Sequence, residues 1–525
     1  EGAASKRSME KAERELERSR NGALRKLRGK ADARAKEGYQ FISKIELCGP
    51  SKASKTAAVD NSGGDGGHWI DRVTFDGTPD PAKYEDNDDS QAKYFLDVFG
   101  SSVRFLEGSK DTWVIYDGLT WHKESSGFIS QLYKTGCLKP LKDRENQFRK
   151  EADEYAKKQG NTKTDADYLK LVGKAKACKV IYDHYSNQPK RKNMLIVASQ
   201  VPGIPISDDE LDWDDTLLAM PNGKVIRLDR RTRDEEKNAV SQGYSIEDNR
   251  KLNYTTMLTE VNFQTYEQLM STEAGKAQLE QWSQTVHLFL PDEELRRFVQ
   301  RVFGHMLIGG NIEKKMMFMH GPGDTGKSTF VNTFRVGGDY SKAFNPQAVF
   351  KEGSDKPNQE LVNLVKKRII YNSEGGTHLN ASMIKSASGS DAAPARGLWS
   401  KTYVGQDGYK FSAIMALNKV PTIINEDEQL RNRMLAIPFK TQVPKADQDK
   451  QRVDDLHKIC GSAILLWLLD GYREYVRIGL DEKTWPASVL KSTAEFCEQL
   501  SPLGQFLGDM CEVAPPEVMR MFKIE

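Results

Sequence analysis

The 525-residue sequence predicts an α/β chain built around a phosphate-binding loop on a parallel sheet. Three observations carry this. The segment Gly321-Pro-Gly-Asp-Thr-Gly326-Lys327-Ser328-Thr329 fits G-x-x-x-x-G-K-[ST] in full. The apolar run Met316-Met-Phe-Met319 stands before it, suited to a buried parallel strand, and Ser328 to Phe334 can open a helix. Beyond the loop, the β-rich runs Arg368–Tyr371 and Phe411–Leu417 follow, the first far enough on to leave room for a helix and a loop.

The residue types of the loop follow from its chemistry. Gly321, Gly323 and Gly326 let the backbone curl so that successive N–H groups point at phosphate oxygens. The helix N-terminus adds partial positive charge. Lys327 is placed to reach the β- and γ-phosphates, and the Ser328 hydroxyl to ligate Mg²⁺. Pro322, Asp324, Thr325 and Thr329 complete the candidate ATP-binding set.

Composition sets the bounds. Charged residues make up 29% and hydrophobic residues 38%, and the formal net charge is +2, which argues against a chain coated in positive charge but leaves room for a local basic channel. The six cysteines are scattered without a C-x-x-C pair, so reduced, buried thiols are expected rather than a zinc ribbon. No run approaches the roughly 20 apolar residues of a membrane span. There is no signal peptide, and the expected compartment is the reducing interior of a cell. The chain does not begin with Met, as the rear portion of a longer protein would not.

Five regions are expected. Residues 1–90 read as a charged linker, basic and acidic up to Glu37 and then Gly-, Ser- and Asp-rich around Gly63-Gly64-Asp65-Gly66-Gly67. Residues 91–263 read as a mixed α/β domain. Within it Trp113 to Trp121 forms a hairpin closed by Asp117-Gly118, Asp143 to Lys179 has helical character, and Pro221-Asn222-Gly223 turns between two apolar runs. Residues 264–312 read as a helical collar, with Leu295, Phe298, Val299, Val302, Phe303, Met306 and Leu307 at helical spacing after a capping Asp292. Residues 313–440 hold the core, and 441–525 a helical C-terminal region.

A hydrolytic loop of this kind needs a carboxylate at the end of a neighbouring strand. Glu374, closing Arg368-Ile-Ile-Tyr-Asn-Ser373, is the candidate, although a strand ending in Glu is by itself commonplace. Asn418, after Phe411–Leu417, could hold an attacking water or γ-phosphate, or could simply cap a turn. Arg431 and Arg433 precede the run Met434–Phe439; arginines there are usually surface charges, but in ring ATPases such a residue completes a neighbour's site. Between them, Arg396 to Lys410 reads as two β-like runs around a Gly-containing turn.

The order of loop, strand-Glu, Lys385-x₅-Asp391, hairpin, strand-Asn418-x-x-Pro421 and Arg433-x₄-Pro438-Phe439 resembles the superfamily 3 helicase core, more narrowly the branch of phage and plasmid primase-helicases and poxvirus-type primase-helicases. Leu211-Asp-Trp213 through Pro221-Asn-Gly223 to Leu228, and Phe303-Gly-His-Met-Leu-Ile-Gly309, resemble the segments that precede the motor in that branch. The resemblance covers roughly 91–507 and is strongest over 298–439. It implies an AAA+-like P-loop core in which Gly321–Thr329 is Walker A, Glu374 the Walker B carboxylate and, with Ser328, a Mg²⁺ ligand, Asn418 the sensor, and Arg433 the arginine finger with Arg431 in reserve. Ser373 departs from the second acidic residue common in relatives, and Ser390 from a glycine.

In such rings a hairpin lysine tracks the phosphate backbone inside the channel. Lys401 is the counterpart by position, with Tyr403, Lys410 or Trp399 as further contacts. The resemblance implies an ATP-dependent helicase of a phage, plasmid or viral replication system, in the cytoplasm of an infected or plasmid-bearing cell. It would be a homo-oligomer, a hexameric ring hydrolysing ATP at subunit interfaces and moving 3′ to 5′ on single-stranded and replication-fork DNA. A primase or primase-polymerase domain could precede residue 1. The competing readings are another remodelling or packaging P-loop ATPase and a nucleotide-gated origin-binding or loading scaffold.

Overall fold

Buried apolar runs and helix-spaced apolar stripes divide the chain into two compact units, each with its own core. The computed structural model describes residues 69–124, 127–160, 163–349, 358–373, 378–389, 395–396, 403–404, 409–424, 427–445 and 450–500. The first unit comprises the described part of Glu1–Trp213 with Arg250–Thr256, and the second that of Asp214–Asn249 with Met257–Glu525. The dividing line therefore runs inside the 91–263 segment.

In the first unit, α1 (Asp88–Phe99) precedes the antiparallel strands β1 (Val103–Leu106), β2 (Trp113–Tyr116) and β3 (Trp121–Glu124). The expected hairpin joins β2 and β3. Asp117 makes the turn, accepting from the Leu119 and Thr120 amides at 2.9 and 2.8 Å, and Gly118 supplies a φ of 99°. Burial alone would raise the Asp117 carboxyl, but hydrogen bonds from His122, Thr120, Arg72 and Leu119 together hold it well below the usual carboxylate range. The charged stretch becomes α2 (Lys139–Lys158) and α3 (Ala166–Ser186), which pack on each other. On α2 the residues Leu141, Phe148, Ala152 and Ala156 repeat at helical spacing and are buried. Helix α4 (Gln188–Ser199) leads to β4 (Pro205–Ile206), which pairs with β1 in parallel.

Residues 69–87, read from composition as part of a linker, are packed into this unit. Trp69 stacks on His122 with ring centroids 4.3 Å apart, and Val73 is buried with the core. A few apolar anchors outweigh the Asp- and Pro-containing background there. Residues 1–68 lie outside the described residues.

The second unit opens with an antiparallel meander, β5 (Leu217–Ala219), β6 (Lys224–Leu228) and β7 (Tyr244–Asp248), whose first turn uses Gly223 at φ 76° as expected. Helices α5 (Glu273–Phe289) and α6 (Glu293–His305) follow, and the Asp292 side chain caps α6 by accepting from the Leu295 amide at 2.7 Å. Five parallel strands form the main sheet: β8 (Met316–His320), β9 (Ser341–Ala343), β10 (Ile369–Asn372), β11 (Ser412–Leu417) and β12 (Met434–Pro438). Their spatial order is β12-β8-β11-β10-β9. Every residue of β11 and β12 is buried, as sheets covered on both faces require. No described helix is long and apolar enough to cross a membrane.

Helix α7 (Lys327–Asn332) lies under the rings of Trp282, Phe303 and Trp467, which surround Phe330 at 5.2–5.8 Å. Trp467 belongs to α8 (Gly461–Ile478), which crosses α6 at two glycines. A β-carbon on Gly304 would stand 2.1 Å from the Tyr472 amide nitrogen, and one on Gly471 would stand 2.0 Å from the Gln300 carbonyl. Neighbouring His305 is fully buried, its ring 4.7 Å from that of Tyr475, and neither ring nitrogen has a hydrogen-bond partner among the described residues.

Two outcomes follow. Gly304→Ala forces the two helices apart and is expected to cost about 2 kcal/mol or more, read as a lower denaturant midpoint. Burial lowers the pKa of His305 from 6.5 to about 4. The unfolded chain therefore takes up this proton at a pH where the folded chain does not, and stability held above pH 6.5 falls as the pH drops towards 4. His305→Leu should flatten the stability slope between those values by up to about 1.4 kcal/mol per pH unit, measured by urea unfolding.

Candidate functional site

The loop from Gly321 to Gly326 leaves the C-terminal end of β8 and enters α7. Its start is held on both sides. The Phe439 amide donates to the His320 carbonyl at 2.8 Å, and the Gly321 amide to the Leu417 carbonyl at 3.3 Å. A β-carbon on Gly321 would lie 1.8 Å from the Phe439 carbonyl oxygen, so a side chain has no place there. Asp324 takes a φ of 59°, and its carbonyl accepts from the Val443 amide at 2.8 Å. Gly326 closes the loop at φ 80°, with the Phe289 ring 2.4 Å from where a β-carbon would be. Gly323 faces open space, and Pro322 and Asp324 are exposed.

The Lys327 side chain turns back beneath this curl. Its Nζ donates to the carbonyl of Gly321 at 2.9 Å, to that of Pro322, and to Thr325 Oγ1 at 3.0 Å. Burial lowers its pKa, against the opposing charge of Asp324. His320, at the end of β8, is also lowered, first by burial and then by the Lys327 charge. Thr325 and Thr329 are buried, whereas Ser328 is exposed. Its Oγ donates to the Ser373 carbonyl at 3.1 Å, just past β10. Glu374 is the next residue in sequence and lies outside the described residues. Asn418 is exposed directly after β11, whose Leu417 pairs with His320. The C-terminal edge of the sheet thus brings Lys327, Ser328, Ser373 and Asn418 together. They meet where the strand order places loops from β8 and from the much later β11 side by side, the crevice in which open parallel sheets bind ligands.

The other candidates are elsewhere. Arg433 precedes β12, and its carbonyl accepts from the Met316 amide at 2.7 Å at the start of β8. That is the far edge of the sheet, roughly 13 Å of strand from the loop of the same chain. Its guanidinium donates to the Lys385 carbonyl and to Ser388 Oγ, the latter at 2.9 Å, on the helix Ala381–Gly389. Lys385 itself pairs with Asp427 at 2.7 Å, and Asp427 caps the helix Glu428–Arg431, on which Arg431 is exposed. Lys410 is half-buried just before β11, with its carbonyl accepting from the Gly310 amide. Within the segment expected to form a hairpin, Ala395–Arg396 runs antiparallel to Tyr403–Val404, with Arg396 opposite Tyr403, and the residues between lie outside the described residues. Lys401, Trp399, Ser390 and Asp391 lie outside the described residues, as does the Tyr403 side chain.

Sequence reasoning missed Phe289, the Phe439 carbonyl and Val443, which shape the loop from distant elements and carry no local signal. The Lys385–Asp427 link could have been sought, since Asp427 three residues before Leu430 is an N-cap pattern. Gly326→Ala should pit a β-carbon against Phe289 in a backbone conformation that alanine resists, lowering the melting temperature by several degrees, a loss of about 2 kcal/mol on thermal unfolding.

Comparison with known proteins finds partial similarities. Residues 92–304 match the family profile described as D5 N terminal like. A curated relative, "Putative helicase 022R" of Frog virus 3 (isolate Goorha), is 28% identical over 160 residues, which are 29% of this chain and 16% of that protein. The chain therefore matches only a small part of that relative's length. Among solved structures, the apo C-terminal region of NrS-1 is 14% identical with a TM-score of 0.30, covering 48% of this chain and 59% of that one. JCV helicase is 14% identical with a TM-score of 0.22, covering 72% of this chain and 93% of that one. Scores of that size do not establish a shared arrangement.

Proposed function

We propose that the chain, whose residues 92–304 match the D5 N terminal like profile, is the motor portion of a viral, phage or plasmid replication helicase of the primase-helicase kind. The observation that carries the reading is the complete phosphate-binding loop at the end of β8, between β12 and β11, with Ser373 and Asn418 beside it. An ATP triphosphate would lie along the amides of Gly323 to Lys327, with the Lys327 ammonium leaving its loop carbonyls for the β- and γ-phosphate oxygens. The exposed Ser328 hydroxyl is the donor suited to Mg²⁺, and Glu374 is the proposed carboxylate for that ion and for the attacking water. When bound, Mg²⁺ supplies charge neutralisation across the phosphates. Asn418 would orient the water through a neutral amide.

The AAA+-like core, the ring and its hexameric form belong to the same proposal. Arg433 stands at the opposite edge of the sheet from its own loop, which suits a residue serving the next subunit's nucleotide. To do so its guanidinium must give up Lys385 and Ser388. Arg431, exposed on the preceding helix, is the alternative. The hairpin around Tyr403, with Lys401 and Lys410, is proposed to face single-stranded DNA.

Lys327→Ala is expected to lower ATP turnover by at least a hundredfold and to abolish unwinding of a forked duplex. Arg433→Ala should do nearly the same. Mixing the two inactive variants should restore part of the turnover, because a mixed interface can pair an intact loop with an intact arginine. Undiminished turnover in Arg433→Ala would remove that residue from the shared site. DNA assembly that persists with Lys327→Ala while no unwinding is seen in the parent would favour a loading scaffold.

A further inference from the structure

The first unit contains a cleft of about 390 Å³ whose lining is mainly basic, with Lys134, Lys139, Lys142 and Arg191 beside Tyr182 and a single carboxylate, Asp143. Three features set it apart from an ordinary solvated face. Arg191 is 4% exposed, yet no carboxylate pairs with it among the described residues. Its Nε donates to Ser130 Oγ at 3.0 Å, and its Nη1 donates to the Tyr185 and Ser186 carbonyls at 2.8 and 2.6 Å. These bonds fix the guanidinium plane and engage one side of it, leaving Nη2 without a protein acceptor among the described residues. A buried cation offset only by neutral carbonyls favours an anion at its open side. A planar guanidinium held in this way is suited to a phosphate.

The second feature is the backbone of the cleft wall. Lys134–Leu138 is a π-helical turn, with the Lys139 amide bonded to the Lys134 carbonyl, inserted directly ahead of α2. Such turns are uncommon and concentrate at functional sites. Here the turn is held by packing: a β-carbon on Gly136 would meet the Phe99 ring at 2.4 Å. The third feature is charge. Lys134 and Lys139 are exposed and have no ion-pair partner among the described residues, while Lys142 is paired with Glu145 at 2.8 Å and lies 5.3 Å from the Tyr182 ring centroid.

We propose that this cleft binds the sugar-phosphate backbone of single-stranded DNA, a contact separate from the hairpin around Tyr403. The proposal rests on the reading that the chain acts on DNA. An open cleft with the unpaired Lys134 and Lys139 in its wall suits a strand that runs through it, whereas an isolated nucleotide would call for enclosure.

The test measures binding of a fluorescein-labelled oligothymidylate to the full chain over a salt series, for the parent, Lys134→Ala/Lys139→Ala and Arg191→Gln. Both lysines are exposed, so the double variant tests the cleft even if Arg191→Gln folds poorly. The double variant is expected to bind about tenfold more weakly, with the slope of log K against log salt shallower by about 1.4, two phosphate contacts at ~0.7 each. A parent that binds no strand would overturn the DNA reading itself. A parent that binds, with a double variant unchanged in affinity and slope, would overturn the cleft alone. The cleft proposal also fails if, in a Lys327→Ala background, the double variant loses a fluorescent triphosphate but holds the strand as before.

Discussion

One carbonyl and one aromatic ring leave no room for a side chain at the two ends of the phosphate-binding loop. The Phe439 carbonyl occupies the space beside Gly321, and Phe289 the space beside Gly326. Both come from elements remote in sequence, one after the last strand of the sheet and one at the end of α5. The loop's curvature is thus a property of the folded unit. It persists because β12, β11 and α5 press on the loop from three sides, and because Asp324 is held in a left-handed conformation by the Val443 amide. Backbone strain of this kind is stable only where the surroundings over-determine it.

The strand order makes the site possible. With β8 flanked by β11 and β12, the loop from an early strand meets the ends of strands that come about a hundred residues later. Ser328 meets the Ser373 carbonyl and Leu417 accepts from Gly321 at the same edge. The opposite edge holds a different group, in which Arg433, Lys385, Ser388 and Asp427 tie the start of β12 to a neighbouring helix. Behind the loop, packing around Phe330 connects α7 to α5, α6 and α8 through Trp282, Phe303 and Trp467. The glycines at the α6–α8 crossing let that layer approach closely, and movement of α7 has to be accommodated by it.

The first unit shows how charge-rich sequence can hold a core. Helix α2 carries basic and acidic residues on its outer face while a narrow apolar stripe faces inward, and α3 buries Ala175, Cys178, Ile181 and Tyr185 although Leu169, Val172 and Val180 are exposed on it. Glu145 lies within that stripe, and burial would raise its carboxyl. Lys142 and Arg149, one turn away on either side, outweigh the burial and keep it below the ordinary range. Arg191 has no such carboxylate and relies on helix-end carbonyls. That contrast, between a buried charge that is matched and one that is not, marks the cleft beside it.

The sequence by itself determined the phosphate-binding loop, the strand before it, the hairpins at Asp117-Gly118 and Pro221-Asn222-Gly223, and the capped helix from Asp292. Each is written in residues close together, so turn chemistry, capping and apolar period suffice to read it. It also marked Glu374 and Asn418 as strand ends, although not that Asn418 and Ser373, just before Glu374, would share an edge with Lys327. The packed segment after Trp69, the division at Trp213, the clamps from Phe289 and Phe439, the strand order and the partners of Arg433 were decided only by tertiary structure. These depend on contacts between residues tens to hundreds of positions apart, and such contacts are chosen by the burial of whole faces, which no local pattern encodes.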